Sequence, residues 1–252
     1  LTKMWDCSVA EAAARVYNDL GDKSYGTKGG VGSFETRHCK LNTQIDLQCK
    51  VREWRDYDLE YWGSYGISLK WLKYADVYPI SHKIVIKDNK SYAFGADKYA
   101  YAYVEFKEGR TTLKIYQPFN KNGFKWSNRH DRSVISLWTR VPKEGDKICI
   151  CSSLKDALCL WANTGIPSLA IQGEGYGMSD TAINELKRRF NKIYICLDND
   201  KAGLKDGVHL ANKTGFINVV IPQFKGGKDI SDLYKVLGNK EQFKQTILSL
   251  FK

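Results

Sequence analysis

Ile193-Tyr-Ile-Cys-Leu-Asp198-Asn-Asp200-Lys-Ala-Gly203 sets two carboxylates directly behind an apolar run and just ahead of a helical pattern. A short apolar run of this kind is expected to be a buried strand, and Lys201–Lys213 after it is expected to be a helix stopped by Gly215. Aspartates at i and i+2 behind a strand can both face one hard cation. Mg²⁺ needs only one or two protein carboxylates beside water and phosphate oxygens. The competing reading of Asp198 and Asp200 is a helix cap and turn, where Asp is common. A cap, however, needs one Asp and not two.

The same alternation continues on both sides. Strands are expected at Ile148–Cys151, Ser168–Ile171 and Asn218–Ile221, helices at Leu154–Asn163 and Asp180–Phe190, and a closing helix at about Lys240–Phe251. Strand and helix in turn make an α/β fold with a parallel sheet, whose ligands gather at the carboxyl ends of the strands. At that edge the second strand ends Gln172-Gly-Glu174, and Lys228-Asp229-Ile-Ser-Asp232 follows the fourth. Glu174 is either a further ligand or a solvated loop residue. Behind the first strand stand Ser152 and Ser153, and Ser153 with Asp156 is expected to cap the next helix. Lys155 and Lys201 flank the carboxylates, and Lys228 joins them as a candidate, where an ammonium can hold a triphosphate or a phosphate backbone; helix surface is the alternative for Lys155 and Lys201.

Toward the N-terminus the pattern changes. Ser8 to Leu20 has the start and stop signals of one helix, and Gly21 to Gly32 has the composition of a linker. Two short helices are expected around a Gly66 turn, over Asp58–Ile67 and Ser68–Tyr74, followed by strands at Lys83–Ile86, Lys90–Phe94, Tyr99–Phe106 and Thr111–Tyr116. This suits an antiparallel sheet. The expected organisation is therefore residues 1–49 as helix and linker, 50–144 as a small mixed α+β subdomain, and 145–252 as the parallel α/β domain with its final helix.

Lys and Arg outnumber Asp and Glu by 39 to 28 in 252 residues, and the net charge of +11 favours a polyanionic partner. Lys107, Arg110, Lys114, Lys121, Lys125, Arg129, Arg132, Arg140 and Lys143 alternate with Tyr116, Phe119, Phe124 and Trp126. Cations for phosphates and rings for bases suit single-stranded nucleic acid, although any single member is as well explained as sheet core or solvated face. No apolar run approaches the roughly 20 residues of a membrane span, so a cytoplasmic protein is expected. Three of the seven cysteines, Cys149, Cys151 and Cys196, lie in apolar runs and are expected in the core as free thiols. Cys149 and Cys151 have no second pair at zinc-ribbon spacing, and the four histidines are scattered.

Asp198-x-Asp200-x-x-Gly203 behind a strand, together with Ser152-Ser-Leu-Lys-Asp156-Ala-Leu behind an earlier one, resembles the TOPRIM domain of DnaG-type primases. The segment from Tyr61 to Phe119 is similar to the mixed α/β unit that precedes TOPRIM in phage primases. The resemblance covers roughly residues 50–238. It implies a C-terminal TOPRIM fold behind a small α+β subdomain, and a DNA primase that makes short RNA primers on a single-stranded DNA template from ribonucleoside triphosphates. It implies Mg²⁺, or Mn²⁺, held by Asp198 and Asp200 with Asp229 assisting, and Lys114 on the strand facing the catalytic edge. One position departs: the family has a Glu at the end of the first strand, and here it is Ser152. Glu174 is the first candidate to replace that carboxylate. A replicative helicase partner, a phage source within a bacterial host, and a longer protein of which the chain from Leu1 is a fragment are further expectations. A TOPRIM nuclease, or a degenerate single-strand-binding module serving a helicase, keeps the fold and changes the chemistry.

Overall fold

The structure, a computed structural model, describes residues 46–251 except 88, 108, 129, 131, 132 and 174–176. The expected helix over Ser8–Leu20 and the linker after it lie outside the described residues, as do Arg129, Arg132 and Glu174. The tip of one hairpin, Val85–Tyr92, falls outside the main compact unit, which comprises Leu47–Ile84 and Ala93–Lys252.

The N-terminal half is an antiparallel sheet with two short helices. Its strands are β1 (Asp46–Val51), β2 (Val77–Lys87), β3 (Lys90–Gly95), β4 (Tyr101–Lys107), β5 (Arg110–Tyr116) and β6 (Trp126–Asn128), in the order β1-β2-β4-β5-β6 with β3 paired to β2. Helices α1 (Asp56–Gly63) and α2 (Leu69–Tyr74) come between β1 and β2. Gly66 lies between them at φ +69, and a Cβ there would stand 2.5 Å from the Asn163 carboxamide. Only glycine permits both the backbone and the approach.

The C-terminal half alternates as its sequence pattern requires. Strands β7 (Gly145–Cys151), β8 (Ser168–Ala170), β9 (Phe190–Cys196) and β10 (Ile217–Asn218) form a parallel sheet in the order β10-β9-β7-β8. Between and after them run α3 (Leu154–Thr164), α4 (Asp180–Arg189), α5 (Lys201–Thr214), α6 (Ile230–Leu237) and α7 (Lys240–Leu250). Gly165 and Gly215 close α3 and α5 in the left-handed conformation, at φ +81 and +77. The fold is α/β, a parallel four-stranded sheet with flanking helices preceded by a mixed α+β region.

Ile148–Cys151 and Ile193–Cys196 are buried along their whole length, as central parallel strands covered by helices must be. Cys149, Cys151, Cys159 and Cys196 are free and fully buried, with the Cys149 and Cys151 sulfurs 3.9 Å apart on one face of β7, whereas Cys49 in β1 is half-buried. The apolar core runs without a break from Trp62, Tyr101 and Tyr103 through Leu137 to Ile148, Leu158, Ile195 and Phe243. The segment after β6 joins the sheet edge: Ser136 and Ala170 form an antiparallel bridge, so the outer side of β8 is partly covered.

Candidate functional site

β9 ends at Cys196, and the chain passes through Leu197 to Asp198 at the carboxyl edge of the parallel sheet. Asp200 is the N-cap of α5; its Oδ1 accepts the backbone N–H groups of Ala202 and Gly203 at 3.1 and 2.9 Å. These bonds, with Lys228, hold its carboxyl below the usual carboxylate range. Asp198 Oδ1 accepts the Ser152 hydroxyl at 2.5 Å. Each aspartate thus has one oxygen fixed by a neighbouring donor. The other two converge: Lys228 Nζ lies 2.9 Å from Asp198 Oδ2 and 2.5 Å from Asp200 Oδ2. Capping and cation holding are therefore divided between the oxygens of Asp200, and the two sequence readings of this aspartate are compatible.

Gly203 makes the spacing possible, because a Cβ there would lie 2.2 Å from the Asp198 carbonyl oxygen. Asn199, between the aspartates, turns away from them: its N–H donates to Lys228 O at 2.7 Å and its Nδ2 to Ile221 O at 2.7 Å. It thereby ties the glycine-rich turn carrying Lys228 to the strand end. Gly227 is needed in that turn, where a Cβ would stand 2.2 Å from the Asp232 side chain.

Beneath the pair is a second cluster. Asp156 is fully buried in the first turn of α3, with Ser153 Oγ and Ser231 Oγ each donating to it at 2.5 Å and Ser231 N at 3.2 Å. Asp229 caps α6, accepting Asp232 N at 2.7 Å, and pairs with Lys155 Nζ at 3.3 Å. Lys155 is buried, also donates to Ser231 Oγ, and lies 3.7 Å from Asp156. Two carboxylates here share one ammonium. Burial and then the nearby Asp229 charge push the Asp156 carboxyl up, whereas at Asp229 burial is opposed by the Lys155 ammonium and the hydrogen bonds from Asp232 N and Ser231, which together hold the carboxyl down. Burial works against the charge of Lys155, but Asp156 and Asp229 keep its ammonium above the ordinary lysine value. Ser152 stands between the clusters, 2.5 Å from Asp198 and 3.5 Å from Asp156.

The Toprim-like family matches over residues 149–234, a span that includes every residue of both clusters. Residues 149–234 form a Toprim-like domain. The fold likeness extends beyond it. The primase fragment of the bacteriophage T7 primase-helicase superposes with a TM-score of 0.50 at 15% identity, over 82% of this chain and 75% of that one. The Aquifex aeolicus primase, zinc-binding and RNA polymerase domains together, gives 0.56 at 16%, over 77% of this chain and 56% of that one. A DnaG primase catalytic domain bound to single-stranded DNA gives 0.54 at 16%, over 75% and 72%. The chain has the fold of DnaG-type primase catalytic cores. No curated protein matches it by sequence.

The remaining candidates distribute around the Toprim-like domain. Lys114 on β5 donates to Gln172 O at 2.9 Å, just past β8, and its Nζ lies 4.4 Å from the centre of the Trp126 ring, which stacks on Tyr116. Burial pushes its ammonium down to about 8. Lys125 is exposed, 5.9 Å from the Tyr116 ring, and Lys201 is exposed at the start of α5. Asp198, Asp200 and Lys228 are thus brought together, whereas Lys155 and Asp229 face each other in the interior. Three participants escaped the sequence reading: Asn199, Ser231 and the buried role of Asp156. Asp156 and Ser231 had a partial signal, since a Ser-x-x-Asp cap and a Ser inside an Asp-rich turn place hydroxyls and carboxylates close together.

Proposed function

We propose that this chain is the catalytic core of a DNA primase, joining ribonucleotides on a single-stranded DNA template with a divalent cation at Asp198 and Asp200. The observation that carries this reading is the convergence of two Oδ2 atoms on one cationic group at the carboxyl edge of the Toprim-like sheet. Two carboxylate oxygens, water and substrate phosphates meet the needs of Mg²⁺ or Mn²⁺. The donor set fits the ion, since Lys228 already places a positive charge between these oxygens. Such an ion supplies charge stabilisation for phosphoryl transfer and orients the triphosphate.

The protein's own contribution is orientation. Ser152 fixes the face that Asp198 presents, and the start of α5 fixes Asp200. Lys114 beside Trp126 offers a partly desolvated cation next to an aromatic face, suited to a nucleotide or the template backbone, with Lys125 and Lys201 as outer phosphate contacts. Glu174, two residues beyond Gln172, is the proposed third carboxylate, and Asp229 acts from below by holding Lys155. A helicase is the proposed partner.

The test is incorporation of labelled ribonucleotides on single-stranded DNA with Mg²⁺ or Mn²⁺. Product should form with the wild type and be lost with Asp198→Ala. Glu174→Ala should lower it at least about 100-fold if Glu174 contributes to positioning the cation. The Ser152–Asp198 bond, at the position where the family carries Glu, favours one second reading: a single-strand-binding module without polymerase chemistry. Template binding with no product in either metal would establish that reading and overturn the first, and cleavage of the template would overturn both.

A further inference from the structure

We propose that Lys228 is an exchangeable counter-ion: its ammonium holds the Asp198–Asp200 pair until a divalent cation arrives, then turns to a phosphate of the bound polyphosphate. The inference rests on reading the aspartate pair as a cation site. Four observations lead to it.

The first is the choice of oxygens. Oδ1 of each aspartate is engaged elsewhere, by Ser152 or by the start of α5, and the two Oδ2 atoms meet only at Lys228 Nζ among the described residues. A cation using both aspartates needs those same two atoms. Mg²⁺ to oxygen distances are about 2.1 Å, so ion and ammonium cannot share the space.

The second is freedom of movement. The Lys228 side chain is 50% exposed, and its backbone is anchored independently, its O accepting Asn199 N and its N donating to Asp232 Oδ2 at 3.2 Å. The side chain can leave without disturbing the turn. The third is the contrast with Lys155. That lysine is 11% exposed and bound to Asp229 and Ser231, which makes it a permanent internal charge. The two lysines thus have different tasks, although a sequence pattern treats them alike.

The fourth is charge. Two carboxylates and one ammonium leave the site at −1, while replacement by a divalent ion brings the pair and ion to zero and releases a cation beside them. A polyphosphate held by that ion carries several negative oxygens, and the released ammonium is within reach of it through a flexible four-carbon stem. Cation and polyphosphate should then bind with positive coupling, because the ion frees the ammonium that the polyphosphate uses.

The experiment measures Mn²⁺ binding alone by electron paramagnetic resonance. Separately it measures binding of a non-hydrolysable ribonucleoside triphosphate at saturating Mg²⁺, in wild type, Lys228→Met, Lys228→Arg and Asp198→Asn. Removing an exposed competing ammonium should tighten Mn²⁺ binding by about two- to fivefold in Lys228→Met, while the same variant binds the nucleotide more weakly. Opposite signs in one variant are the signature, and Lys228→Arg should restore the wild-type order on both counts. Unchanged or weaker Mn²⁺ binding in Lys228→Met, with Asp198→Asn losing it, would sink the exchange and leave the cation site standing. Unaltered nucleotide binding would remove the second half. Mn²⁺ binding that ignores Asp198→Asn would remove the cation reading itself, and the exchange with it.

Discussion

At Asn199 one residue ties two distant segments to the strand end, one through its side chain and one through its backbone. Its carboxamide bonds Ile221 O and its N–H bonds Lys228 O, both across more than 20 residues of sequence. Asn199→Ala should lower stability by about 1–2 kcal/mol, the worth of a lost bond plus an unsatisfied carbonyl, read from the urea midpoint. Lys155→Met is a heavier change. It leaves Asp156 and Asp229 facing one another without their cation, and breaking a buried pair costs about 3–5 kcal/mol. The variant should unfold at a far lower urea concentration than the wild type. The Asp198-x-Asp200-x-x-Gly203 spacing was legible because each member is local: a strand end, a cap, and a close approach. Asn199 and Ser231 were not, since their partners lie far along the chain and no local rule names them.

At the scale of elements, Gly203 sets the distance between α5 and the end of β9. Gly203→Ala brings a Cβ to 2.2 Å from the Asp198 carbonyl oxygen, a backbone atom that cannot rotate aside. The helix must shift, at a cost of about 1–3 kcal/mol, and the ribonucleotide incorporation proposed for this chain should fall further than the loss in thermal midpoint accounts for. The order of parallel strands and helices was legible because the alternation is regular and the glycine stops are in place, but β10 is Ile217–Asn218 where Asn218–Ile221 was expected, and Phe190 opens β9 instead of ending α4. β1 and β6 were missed, and β2 begins at Val77, well before the expected Lys83. Their pairing comes from neighbours: Pro79 lies opposite Tyr101, and Trp126 opposite Tyr116, partners a local pattern does not show. Helix α6 shows in the sequence mainly as an acidic element, because Asp229 and Asp232 flank an apolar face of Ile230 and Leu233 too short to set a helical period by itself.

For the molecule as a whole, Glu105 joins the two sheets. Its Oε1 accepts Leu137 N at 3.1 Å, fixing the segment whose Ser136 bridges Ala170 and whose Val134 O accepts Gln172 Nε2 at 3.0 Å. Leu137 holds a left-handed backbone, φ +67, within this clasp. Burial pushes the Glu105 carboxyl up to about 7 against the opposing hydrogen bonds from Leu137 N and Ser136, with smaller contributions from Asp76, which raises it, and Arg140, which lowers it. The folded protein therefore binds this proton more tightly than the unfolded chain. Its contribution is complete below the ordinary glutamate value and is lost as pH rises through 7. Relative to Glu105→Gln, which keeps the accepting oxygen, wild-type stability should fall by roughly 3 kcal/mol between pH 4 and 8. Parallel urea curves for the two proteins, flat against each other across that range, would contradict the assignment.

The thiols packed around β7 turn the interior into its own chemical clock. Burial raises the Cys149 thiol and pushes Cys151, Cys159 and Cys196 well away from thiolate; it raises Cys49 in β1 too, but that side chain is only half-buried. Among the cysteines of the described residues, a thiol reagent added to the folded protein meets Cys49 first, and the four others react only when the sheet parts. Their labelling rate times the opening of the very strands that carry Ser152 and Asp198. A substrate that tightens that edge would announce itself by slowing the reaction, with no catalysis needed to see it.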